Sequence, residues 1–170
     1  AGLQAWTLIA IERGASALAR LIAIAILDDL TRRAADADWH PQVIVVALGT
    51  NDFSTALHAN ERWKTRAALH EDFERSYARF LSKLRSRNPH ALIVVWATPI
   101  AQGEVIAEAR ATVARLTQAG ERRIAFVAVD GLGFGGCNGH PDLADDARIA
   151  GAVAAQIDAR RGVWNAGMSR

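Results

Sequence analysis

The chain has 170 residues, which is room for one ordinary domain with one sizeable core. At 51% hydrophobic and 22% charged it reads as globular and not disordered. Its net charge of +2 comes from scattered residues, and no dense Lys/Arg stripe with interleaved aromatics marks a nucleic-acid surface.

In chain order, "WTLIAI" (6–11) is a short apolar run that stops at Glu12-Arg13-Gly14. Residues 15–35 are rich in Ala, Leu and Arg and predict a helix, although "LIAIAIL" (21–27) also fits a buried strand. That run is too short to span a bilayer. "QVIVVAL" (42–48) is β-branched and continuous, as a strand covered on both faces should be. Leu69, Phe73, Tyr77, Phe80, Leu81 and Leu84 then fall at helical spacing and predict a helix over 65–87, ended by Asn88-Pro89. A strand over 91–98, a helix over 104–118 closed by Gly120 and a strand over 123–129 follow. A Gly-rich loop at 131–139 leads to a last helix at 142–160, and 161–170 reads as a tail. Strands alternating with helices predict a single domain with a parallel sheet and helices on both faces. Ligand sites in such sheets gather at the C-terminal ends of the strands. Asn51 and the loop 131–140 both follow strand ends, so both belong on that edge.

Asn51 is the first chemical candidate. Its neutral amide carries two N–H donors and, held rigidly at a strand end, suits the oxyanion of a tetrahedral intermediate. Equally, Gly49-Thr50-Asn51-Asp52 reads as a turn, with Asp52 capping a following helix. His140 is the second candidate. It stands between the Gly-rich loop and a helix whose first turn suits Pro141, where it can act as general base toward a hydroxyl. The competing reading is an exposed loop histidine. His40, His58, His70 and His90 lack that setting and read as surface or packing residues. Asn138 is the third candidate, as the acceptor that fixes the tautomer and orientation of His140. Asp142 and Asp145 are alternatives, better suited to the first turn of the last helix, where they complement its dipole.

Gly131, Gly133 and Gly136 spell G-x-G-x-x-G, but no later strand or strand-end acid follows, so they read as flexibility around His140. Cys137 is the only cysteine, which excludes an intrachain disulfide, and it and the histidines lack ligand spacing for a metal.

"GTND" followed later by "GCNGHPD" resembles the SGNH (GDSL-type) hydrolases, and more closely the carbohydrate esterase family two branch. The resemblance runs over about 40–160 and implies a three-layer α/β/α flavodoxin-like fold. It also implies hydrolysis of carboxylic esters, typically acetyl groups on sugars, with no cofactor or metal and with a small-molecule or carbohydrate ester as partner. By position, Asn51 matches the oxyanion-hole asparagine and His140 the catalytic histidine. The aspartate of the family's D-x-H is replaced by Asn138. Gly49, Thr50 and Asp52 would then lie against substrate.

The Gly-Asp-Ser block that carries the nucleophile is not evident. On the expectation that "WTLIAIERG" is the family's second block, Gly14 supplies a backbone N–H to the oxyanion hole. The sheet's first strand and the serine would then lie upstream of Ala1. Two other readings stay open: a shortened enzyme that uses Ser16, and a non-catalytic relative that binds sugar or acyl groups.

Overall fold

The computed structural model describes residues 41–59 and 61–164, together with the backbone of two strands, β1 (Thr7–Ile11) and β2 (Ile22–Ala23). Gly14, Ser16 and most of the helix predicted at 15–35 lie outside the described residues. The remaining elements are β3 (Val43–Ala47), α1 (Thr50–Phe53), α2 (Arg66–Arg87), β4 (Leu92–Ala97), α3 (Glu104–Gln118), β5 (Ile124–Ala128) and α4 (Leu143–Asp158). They match the predicted elements, with α1 added directly after β3.

The sheet order is β2-β1-β3-β4-β5. Strands β3, β4 and β5 are parallel. The wholly parallel sheet expected from the alternating pattern holds for these three only. β1 runs antiparallel to both β2 and β3. The segment 12–21 between β1 and β2 is shorter than the dozen or more residues, roughly, that a parallel crossover requires, whereas an antiparallel return needs only a turn. The pairing of Leu8 with Val46 and Ile9 with Val45 also satisfies the edge of β3 that faces away from β4.

The unbroken apolar runs of β3 and β4 follow from burial on both faces. Ile44, Val46, Ile93, Val95 and Ala97 pack toward α2 and α3, whereas Val43, Val45, Leu92 and Val94 pack toward α4. Each such side chain contributes about 1.5–3 kcal/mol on burial. Helix α2 presents Leu69, Phe73, Tyr77 and Leu81 to this core at four-residue spacing, and its N-cap Thr65 accepts from the amide of Ala68 at 3.1 Å. Within the predicted tail, Val163 is buried with the α4-side core and Trp164 packs against it. No helix among the described residues is long and apolar enough to cross a membrane.

Candidate functional site

The C-terminal edge of the three parallel strands carries three loops. After β3 the chain turns at Gly49 (φ 111°) straight into the single turn of α1. The amides of Asp52 and Phe53 both donate to Gly49 O, at 3.1 and 3.2 Å. A Cβ on Gly49 would meet Phe73 Cζ at 2.9 Å. Gly49 is therefore buried against the core and shapes the turn, where a substrate contact was expected. Thr50 and Asn51 are exposed, and Phe53 is driven inward against Phe73 and His70, with ring centroids 4.9 Å apart in both pairs. The capping role foreseen for Asp52 falls instead to Thr65, and Asp52 sits in α1 itself.

Asn51 and Asp52 line a cleft of about 250 Å³ with Thr55, Leu57, Glu61 and Trp63. His140 is not among its walls. The Oδ2 atom of Asp52 is buried without a hydrogen-bond partner. Burial pushes this carboxyl up to about 6, against a smaller opposing contribution from its own backbone N–H.

The loop after β5 is a tight buckle. Asp145, on the first turn of α4 and 4% exposed, accepts from the amides of Gly133 and Phe134 at 2.8 Å each. These bonds, that of Gly133 first, hold its carboxyl below the usual aspartate range against the opposing effect of burial. Asp142 is the N-cap of α4 and forms a reciprocal capping box with Asp145. The two aspartates thus brace the loop rather than merely complementing a dipole. Gly136, read from sequence as flexibility, and its neighbour Gly135 serve close packing, whereas Gly131 takes φ 72° in open space. A Cβ on Gly135 would lie 2.7 Å from Asp142 Oδ2, and one on Gly136 would lie 2.6 Å from Pro141 O.

His140 closes the 137–139 turn. Its Nδ1 lies 2.9 Å from Cys137 O, which also accepts the His140 amide at 3.2 Å. A carbonyl only accepts, so the neutral ring carries its proton on Nδ1 and its lone pair on Nε2. The orienting acceptor is this main-chain oxygen and not Asn138, which is exposed with φ 55°. The turn brings the carbonyl three residues back beneath the ring, closer than a side chain on the outside of the turn.

Between these loops, after β4, Ala101 (φ 51°) and Gln102 (φ 54°) precede Gly103 (φ 86°). With Phe134 (φ 51°) and Asn138, they are the non-glycine residues of positive φ among the described residues, and all four lie on this edge. Backbone held in such costly regions clusters at functional sites. This signal was invisible in sequence, because Ala and Gln carry no turn preference. Strands sit about 4.8 Å apart, so the ends of β3 and β5, with β4 between them, are separated by roughly 10 Å.

The α/β sheet fits the resemblance to the family-two carbohydrate esterases, which are SGNH-type hydrolases, and the comparisons bear that resemblance out. The chain is 40% identical over 126 residues to an acetylxylan esterase/glucomannan deacetylase of Cellvibrio japonicus (strain Ueda107), which covers 74% of the chain and 35% of that protein. It superposes with TM-score 0.76 and 37% identity on a solved carbohydrate esterase whose active site displays divergent catalytic and non-catalytic binding functions, over 80% of this chain and 41% of that one. It superposes with TM-score 0.61 and 25% identity on an active-site mutant of a family two carbohydrate esterase from Clostridium thermocellum, over 74% and 38% of the two chains. The chain thus spans well under half the length of each of these relatives. No protein-family model matches it.

Proposed function

We propose that this chain carries the general base and an oxyanion donor of a serine-type ester hydrolase that removes acetyl groups from carbohydrates such as xylan or glucomannan. The observation that carries the reading is His140, whose Nδ1–H is tied to a main-chain carbonyl, on the same sheet edge as the Asn51 turn. The 40% identity to an acetylxylan esterase supports catalysis over binding alone.

In this mechanism Nε2 of His140 takes the proton of a serine hydroxyl as its oxygen attacks the acetyl carbonyl. The side-chain N–H of Asn51 and the amide of Gly14 hold the resulting oxyanion. His140 returns the proton to the departing sugar hydroxyl, and water then releases acetate by the same steps. The Cys137 carbonyl accepts from Nδ1–H and orients the ring. Thr50 and Asp52 face the sugar. The described serines do not suggest the nucleophile: Ser76, Ser82 and Ser86 lie on α2, and Ser54 follows α1.

Acetate release from acetylated xylan tests the assignment. Asn51→Ala should lower kcat by ~10²–10³, the worth of one oxyanion donor, with little change in KM. His140→Ala should lose at least as much. Wild-type turnover in both variants sinks the reading.

A further inference from the structure

A donor for an oxyanion is useful only if it is rigid, because its advantage lies in not having to reorganise as charge develops. Helix α1 is one turn long, too short to be stable by itself. Its stiffness comes from Arg66 at the start of α2. The Nη2 of Arg66 donates to Phe53 O and its Nη1 to Thr55 O, each at 2.6 Å, so one guanidinium grips the carbonyls at and just beyond the end of α1. Glu104 of α3 holds the other side of the fork, through Nε at 2.9 Å and through Nη2. The guanidinium also lies 5.5 Å from the Phe53 ring centroid. His70, in contact with the same ring, bridges Glu104 and Glu108.

Resting on the esterase reading above, we infer that Arg66, held by Glu104, is a positioning residue that fixes the α1 turn so that the Asn51 amide points at the developing oxyanion. Arg66 acts through the backbone and need not touch substrate. The carbonyls it grips lie beyond Asn51 in the chain, and Gly49 anchors the turn before it. Asn51 is therefore held from both sides, by a steric anchor and by a cationic one.

The same helix provides a control. At its far end Arg85 pairs with Glu121 at 2.7 Å and donates to the carbonyls of Asn88, Ala91 and Arg123 at 2.8 Å each. It is a grip of the same chemistry, at the edge of the sheet remote from Asn51. A purely structural role would make the two arginines equivalent.

The test compares Arg66→Met with Arg85→Met, reading thermal stability, acetyl-ester kinetics and hydrogen–deuterium exchange of residues 50–55. Both variants should lose thermal stability. Only Arg66→Met should lower kcat, by about tenfold or more with KM within about twofold, and only it should speed exchange at 50–55. If Arg66→Met does not fold, Arg66→Lys is read the same way. It keeps the charge and three N–H donors on a single nitrogen, but without the guanidinium fork it cannot span both carbonyls and Glu104, so a smaller kcat loss with the same exchange signature is expected. Unchanged kcat with unchanged exchange at 50–55 overturns the inference while leaving the esterase reading intact. Faster exchange at 50–55 with kcat unchanged also overturns it, because the brace would then not serve the oxyanion donor, whereas wild-type turnover in Asn51→Ala removes the esterase reading instead.

Discussion

The Asn51 turn and the His140 loop lie on one edge of the sheet and are braced by opposite charges. The end of α1 exposes carbonyl oxygens, and a cation, Arg66, grips them. The stretch that leads into α4 exposes amide hydrogens, and an anion, Asp145, grips those. Helix polarity accounts for the first, because a helix leaves its C-terminal carbonyls unpaired; the amides of Gly133 and Phe134 are loop donors turned inward, which need an acceptor of their own. The braces also differ in reach. Arg66 is linked to a separate helix through Glu104, whereas Asp145 ties the loop to the helix that follows it. The Asn51 turn therefore depends on the packing of α2 against α3, and the His140 loop on a local capping box.

The comparison can be broken most forcefully at Asp145. Asp145→Asn replaces one acceptor by an NH₂ group that faces an amide N–H and so undoes one of the two 2.8 Å bonds. Displacing a catalytic base by about 1 Å can cost ~10²-fold. Acetyl esterase kcat should fall about tenfold to a hundredfold, with exchange rising at 131–140 and staying level at 50–55. Equal change in both segments would mean that the loops are not braced independently.

A smaller effect is expected at Asp52. Its carboxyl titrates near 6 in the fold against 3.8 for the ordinary group. The folded state therefore binds the proton more tightly, and stability falls as pH rises from about 4 through 6 and stays lower above that. Asp52→Asn should remove this slope and raise stability at pH 7 by roughly 1 kcal/mol after allowance for solvent screening. Urea midpoints at pH 4 and pH 7 check this, and a variant that is less stable than wild type at pH 7 would show that the buried charge is compensated.

What could be read from the chain beforehand divides along the same line. The apolar runs of β3, β4 and β5 and the four-residue spacing of Leu69, Phe73, Tyr77 and Leu81 declared themselves, because one-dimensional pattern follows burial directly. Asn51 and His140 were visible as chemistry at strand ends. Their braces were not. Arg66 and Glu104 are 38 residues apart and meet only once α2 packs on α3. His70 read as a packing residue for the same reason. Asp145 was noticed, but as a dipole partner, because its contacts with Gly133 and Phe134 depend on how the loop folds back. The antiparallel placement of β1 was equally hidden, since an apolar strand does not state its direction.

The smallest expected effect concerns His70, which bears on how much of the α1 brace is electrostatic. Its Nδ1 lies 2.7 Å from Glu108 and its Nε2 lies 2.9 Å from Glu104. Carboxylates only accept, so both ring nitrogens are satisfied as donors only in the imidazolium. Burial pulls this group down, but the bonds to Glu108 and Glu104 outweigh it, and the net shift is upward. Glu104 is held at about 2, chiefly by Arg66, so it stays charged throughout the titration of His70. A raised folded value means that the stabilisation is complete below pH 6.5 and is lost as pH rises through the folded value. The pair is a quarter exposed, so the loss should be a few tenths of a kcal/mol. His70→Gln should therefore flatten the decline in urea midpoint between pH 6 and pH 9 while leaving exchange at 50–55 near wild type at pH 9, because Arg66 keeps its grip on both carbonyls there. If the protection factors at 50–55, which allow for the intrinsic pH dependence of amide exchange, instead fall in wild type over the same pH range, the imidazolium bears the load now assigned to the guanidinium.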